Sequence, residues 1–201
     1  MATDRAIDAV CQAVIDLLRD GYDPVSFNQD LEFRVASPPS FSQQMTAGVS
    51  LFLYRVFING THRIPGGRMT PEGRRAQTQL PLDLHFVLTP WGKDASTQNA
   101  IAGWMMRMLE DTPVLPSGLL NRRLAGVFRP DESVEVVIGE MATEDLFHLW
   151  ELIGPNSYRL SVPYVARNVR IESDLTVAEY EPVQERVGRF QTVVAGPGGA
   201  P

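Results

Sequence analysis

The 201-residue chain has one cysteine, three histidines, no surplus of positive charge and no apolar run near the ~20 residues that a membrane-spanning helix needs. Each shortage excludes something. A single cysteine forms no disulfide within the chain, and Cys11 falls on the apolar stripe of a predicted helix, where it is expected to be a small buried hydrophobe in a reducing compartment. His62, His85 and His148 are scattered over a loop, a strand and a helix, with no HExxH motif and no cysteine pair, so no metal and no other cofactor is expected. Glu144 and His148 stand one helical turn apart, a spacing that reads as a surface i,i+4 pair. The formal net charge of -6 argues against a general binder of nucleic acid or of anionic membranes.

Catalytic motifs are missing too. There is no GxSxG elbow, and Cys11, on a buried helical face with no histidine nearby in sequence, makes a poor nucleophile. Gly67 to Gly73 has the glycine spacing of a phosphate-binding loop, but Arg74-Arg75 stand where Lys-Ser/Thr is required and Pro71 lies within it. The remaining acids, among them Asp83, Asp131, Glu132, Glu135 and Glu140, belong to no motif and read as solvated. The chain is therefore expected not to be an enzyme. Its start, MATDRAIDAV, puts an acid before any apolar run, so a cytoplasmic origin is expected and the sequon Asn59-Gly60-Thr61 is an accidental match.

What is present is an ordinary globular composition, 44% apolar and 21% charged. A chain of this length can bury about 70% of its unfolded surface in one domain. Ile7, Val10, Cys11, Val14, Leu17 and Leu18 recur at three and four, which predicts a helix over 3–20 with Thr3 as its N-cap and Gly21 at its end. Alternation predicts a strand over 31–35. Residues 49–58, apolar on both sides apart from Arg55, predict a central strand covered twice. Leu80, Leu82, Leu84, Phe86 and Leu88 alternate with Pro81, Asp83, His85, Val87 and Thr89, a strand with one core face and one partly wet face. A helix starting near Ser96 or Thr97 buries Ile101, Trp104, Met105, Met108 and Leu109 and stops at Pro113. A short helix over 117–125, a strand over 133–138 and a helix over 144–153 capped by Thr143 follow. The last firm strand covers 158–166, extending toward Ile171, with Pro163 marking an edge or a bulge. Residues 183–190 suggest one more strand.

The fold class expected is α+β, a mixed, mainly antiparallel sheet packed by about three amphipathic helices in one domain over 1–192, with a disordered Gly/Pro tail over 193–201. Residues 60–79 carry Arg63, Arg68, Arg74 and Arg75 with four glycines and few apolar residues, a flexible basic loop. Without interleaved aromatics it reads as a protein interface, since arginine pairs bidentately with carboxylates.

Five stretches taken together resemble a known family: the first helix, VSLFLYRVFIN (49–59), LPLDLHFVLTPW (80–91), MMRMLEDTPVL (105–115) and TEDLFHLWELIGPNSYRLSVPYVARNVRI (143–171). In order and spacing they are similar to the amino-terminal domain of the tail-terminator, or cap, proteins of phage-tail-like contractile injection systems. The resemblance implies a structural protein that forms a homohexameric ring at the baseplate-distal end of the inner tube and sheath and stops their growth, within a particle that stays in the cytoplasm or is released. It implies contacts to tube and sheath subunits and none to nucleic acid or membrane. Arg63, Arg68, Arg74 and Arg75, with Val187 and Phe190 of the late strand, are the candidate partner-binding residues. The alternatives are a baseplate or adaptor subunit of the same particle, or an α+β ligand-binding domain or enzyme, which a polar cleft with convergent titratable groups would mark.

Overall fold

The computed structural model describes residues 2–27, 29–38, 45–62, 78–153 and 158–173. Three long strands, β2 (Gly48–Ile58), β3 (Gln79–Trp91) and β6 (Val162–Glu172), form the middle of a six-stranded sheet. With β1 (Glu32–Ala36), β5 (Ser133–Ile138) and β4 (Val114–Pro116), the order is β1-β2-β3-β6-β5-β4. Only β1 and β2 run parallel; the other pairs are antiparallel. The expected α+β class is therefore observed. Its longer helices among the described residues are α1 (Ala6–Asp20), α3 (Ala95–Asp111) and α5 (Thr143–Ile153), while α2 (Pro24–Phe27) and α4 (Ser117–Leu120) are single turns.

Two cores of unequal size lie on the two faces of the sheet. On one face, Val10, Cys11, Val14 and Leu18 of α1 and Ile101, Met105 and Leu109 of α3 join Leu51, Leu84, Phe86, Leu88, Val136 and Ala166 in one apolar cluster. Burial pushes the Cys11 thiol up to about 12, as suits an inert hydrophobe. Trp104, expected on the buried stripe of its helix, is half-buried against this cluster and joins a group of rings with Tyr22, Phe27 and Phe33 at centroid distances of 5.6–6.2 Å. On the opposite face α5 sets Trp150 against Ala36, Met45, Phe52, Val87 and Trp91.

That second cover corrects the expected wet face of β3. Val87 and Thr89 are fully buried; Thr89 Oγ1 lies 2.9 Å from Ser161 Oγ, and Trp91 Nε1 donates to Ser50 Oγ at 2.8 Å, so the polar atoms there are paired. Asp83, read as solvated, holds the structure together: its carboxylate accepts from Asn59 Nδ2 at 3.1 Å and from the Asn168 backbone N–H at 2.9 Å. Asn168, with φ of 57°, sits at a bulge where β6 fits two residues against Asp83 of β3.

Several boundaries differ from expectation for local reasons. Asp94 Oδ1 accepts from the Thr97 N–H at 2.7 Å and caps α3, so that helix begins at Ala95. Helix α1 begins at Ala6, not Thr3, and Gly21 closes it at φ of -82° without a left-handed turn. The predicted helix over 117–125 is only one turn long, and β4 had no alternation to announce it. Pro163 lies in an interior strand, not an edge: it is the second residue of β6, opposite Val87, and its carbonyl accepts from the Gly139 N–H at 2.9 Å.

Candidate assembly interface

The six residues singled out in the sequence, Arg63, Arg68, Arg74, Arg75, Val187 and Phe190, lie outside the described residues, as do the expected strand over 183–190 and the tail over 193–201. Of the expected loop over 60–79, Gly60–His62 form a turn of 3-10 helix and Gln79 already belongs to β3. The hairpin closes firmly at this point, the Asn59 N–H donating to the Pro81 carbonyl at 3.0 Å.

What sequence reasoning missed is the open margin of the expected strand that leads into that loop. β2 was expected to be covered twice along its length, yet its burial stops half-way, and Arg55 through Ile58 are exposed. β1 pairs with β2 from Gly48 to Phe52 only, ends at Ala36, and is followed by Ser37 and Pro38. Among the described residues no strand continues along that side of β2, while its other side pairs with β3 as far as Ile58 opposite Leu82. A bulge at Tyr54 puts Leu53 opposite Phe86 but Arg55 opposite His85, exchanging the faces on which odd and even residues lie. The result is an open strand margin carrying Val56, Phe57 and Ile58, each 43–52% exposed, with the Arg55 guanidinium 4.9 Å from the centre of the Phe57 ring. The signal that could have found it was Pro38-Pro39, which stops β1 from accompanying β2 further.

A second apolar patch lies on the outer side of α5, where Phe147 and Leu152 are exposed and the Phe147 ring meets Tyr158 edge-on at 5.2 Å. His148 pairs with Glu151 at 3.2 Å and not with Glu144, the i,i+3 partner winning over the i,i+4 one that the spacing suggested. Burial and the nearby Arg55 charge hold the His85 imidazole below its usual range, so it is neutral at physiological pH.

A cavity of about 310 Å³ between β6 and the turn before β5 is lined by Arg129, Asp131, Glu132, Arg170 and Glu172. Its charges engage one another: Arg129 donates to Glu172 at 2.8 Å, Gln79 Nε2 donates to the same carboxylate at 2.6 Å, and Glu132 accepts from the Arg129 backbone N–H at 2.7 Å. No cluster of three metal-binding side chains occurs among the described residues.

A buried charge, Asp16 of α1, pairs with Arg19 and receives a two-pronged contact from Arg123 at 2.6 and 2.9 Å. The Arg123 hydrogen bonds hold its carboxyl below the ordinary carboxylate range. A depressed folded-state pKa stabilises the fold above the unfolded value of about 3.9, and that contribution is lost as pH falls through the folded value. Arg123→Ala is accordingly expected to cost about 1 kcal/mol at pH 7, since the guanidinium is half exposed and screened, and progressively less as pH falls below about 4, measured as the difference in Tm from the parent across that range.

The Pvc16 N-terminal domain family matches residues 9–185. The chain belongs to that family. Comparison with curated proteins finds no match. Among solved structures, the Pvc16-family chain is similar to the sheath/tube terminator of PVC, an extracellular contractile injection system, in its extended state, at 18% identity with a TM-score of 0.61 over 95% of this chain and 67% of that one. It is also similar to the tube-terminating cap of the anti-feeding prophage, at 17% identity with a TM-score of 0.61 over 90% of this chain and 60% of that one. At such identities the likeness is one of fold, and it agrees with the resemblance carried by the sequence blocks.

Proposed function

We propose that this chain is a terminator of a contractile injection system, forming a homohexameric ring on the baseplate-distal end of the inner tube and sheath and stopping their polymerisation. The observation that carries the reading is that nearly the whole chain, sheet and helices together, matches the fold of two tube terminators. The physics of a cap fits. Tube and sheath grow because each ring offers a surface for the next, whereas a ring whose heterologous contacts close on themselves, with one polymer-compatible face, ends the stack. Arg63, Arg68, Arg74 and Arg75 are proposed to meet acidic surfaces of tube or sheath subunits, and Val187 and Phe190 to anchor the carboxy-terminal segment on a partner. The work is structural, with no cofactor and no turnover. The protein is made in the cytoplasm and joins a particle that is retained or released; no described helix is long and apolar enough to cross a membrane.

Deleting the gene is expected to leave sheathed particles with uncapped ends and uncontrolled lengths by electron microscopy. Normal, length-controlled, capped particles would overturn the reading, and density for this chain at the baseplate end would replace it by an adaptor role.

A further inference from the structure

Asn59 is the one asparagine of the sequence followed by glycine, and the fold seats that pair where β2 ends. We propose that Asn59-Gly60 is a modification site, at which Asn59 deamidates spontaneously through attack by the Gly60 nitrogen, and that the product loosens the bulge joining β3 to β6. The inference is independent of the capping role. Gly60 opens a turn of 3-10 helix, so its N–H has no partner within the turn, and it donates to no other group among the described residues. Gly60 and Thr61 are exposed and Asn59 is half-buried, so water reaches the pair. Glycine at the attacking position carries no side chain to hinder ring closure. The Asn59 side chain is held by a bond from Nδ2 to Asp83 Oδ2 at 3.1 Å. Asp83 therefore grips the nitrogen that leaves, not the one that attacks, and slows the reaction without blocking it.

The chemistry needs water and nothing else. The Gly60 nitrogen gives up its proton and attacks Asn59 Cγ; the new N–Cγ bond closes a five-membered succinimide as the Cγ–Nδ2 bond breaks, and Nδ2 leaves with the proton as ammonia. Water then opens the ring at one of its two carbonyl carbons. Attack at Cγ yields aspartate. Attack at the main-chain carbonyl carbon yields isoaspartate, through which the backbone runs by way of Cγ and is one atom longer.

Either product puts a carboxylate where an amide donated. Asp83 then faces a like charge across a hydrogen-bond distance, and among the described residues no lysine or arginine forms an ion pair with it to relieve the repulsion. The other oxygen of Asp83 accepts from the Asn168 N–H at 2.9 Å. Asn168 has φ of 57°, a left-handed conformation that a residue other than glycine keeps when its surroundings hold it there. Displacing Asp83 removes that hold, so a change at the end of β2 is felt in β6, two strands away.

The test ages the full chain at mildly alkaline pH and follows residue 59 by peptide mapping with mass spectrometry and the Asn168 amide by hydrogen exchange. Asn59 is expected to convert to a mixture of aspartate and isoaspartate, with exchange at Asn168 about tenfold faster in the converted protein, the loss of one hydrogen bond. Gly60→Ala should slow the conversion about tenfold, because a methyl group hinders the ring closure that glycine permits. The fold accepts that methyl, since nothing lies within 4 Å of where it would stand. Asn59→Asp should show the faster exchange at once, without ageing. Asn59 left intact in the folded chain while the urea-unfolded chain converts, or equal conversion in Gly60→Ala, would overturn the assigned site. Unchanged exchange at Asn168 in both the aged protein and Asn59→Asp would overturn its coupling to the bulge.

Discussion

Changing Arg63, Arg68, Arg74 and Arg75 together to glutamate is expected to abolish docking on tube and sheath ends while leaving the fold unaltered. The fold should survive because the hairpin is closed below the loop. Ile58 pairs with Leu82, and the Asn59 N–H reaches the Pro81 carbonyl, before the first of these arginines is met. The docking should not survive. One exposed ion pair is worth only about 0.2–1 kcal/mol, but turning four attractions into repulsions adds a penalty of several kcal/mol per subunit and slows encounter as well. In a ring the loss is repeated in every copy. The measurement is co-sedimentation with uncapped particles at low and high salt, alongside circular dichroism and Tm. The parent should bind less as salt rises, since screening shortens the reach of its charges to about 8 Å at physiological ionic strength. Undiminished co-sedimentation of the variant with an unchanged Tm would remove these arginines from the interface.

Most of the fold was legible because most of it follows periodicity. The stripe Val10, Cys11, Val14 and Leu18, and the alternation from Leu80 to Leu88, each reported a face that the structure buries. What was not legible depends on partners distant in sequence. Thr89 looks solvated along the chain, yet it is buried beside Ser161, 72 residues later, with which it shares a hydrogen bond. Pro163 looks like an edge residue until β5 is placed beside β6. The open half of β2 was hidden by its own composition. Val56, Phe57 and Ile58 are what a doubly covered strand would contain, and composition does not say whether the cover comes from the same chain or another. The arginines stood out as a charge anomaly, the strand margin before them did not, and the two are contiguous.

Paired substitutions on opposite faces should separate the two cores. Phe86→Ala is expected to unfold the domain as a unit. Phe86 is 1% exposed, stacks on Tyr164 at a centroid distance of 6.0 Å, and lies in β3 within the cluster shared by α1, α3 and all six strands. The expected cost of about 3–5 kcal/mol is a large part of the 5–15 kcal/mol by which such domains are stable. Trp150→Ala removes as much volume, but from a cluster whose buried members are Ala36, Met45, Phe52, Val87 and Trp91, with Leu146, Leu149 and Ile153 half-buried around it. Here the loss falls on a single helix. Helix α5 is expected to undock while the larger core holds, because no buried residue of that core belongs to α5. Hydrogen exchange distinguishes the outcomes: in Trp150→Ala, residues 143–153 should exchange fast with β3 and β6 still protected, whereas in Phe86→Ala protection should fall across the sheet together. Equal loss everywhere in both variants would mean that the two faces form one cooperative unit, and that α5 could not shift on its own when a partner meets Phe147 and Leu152.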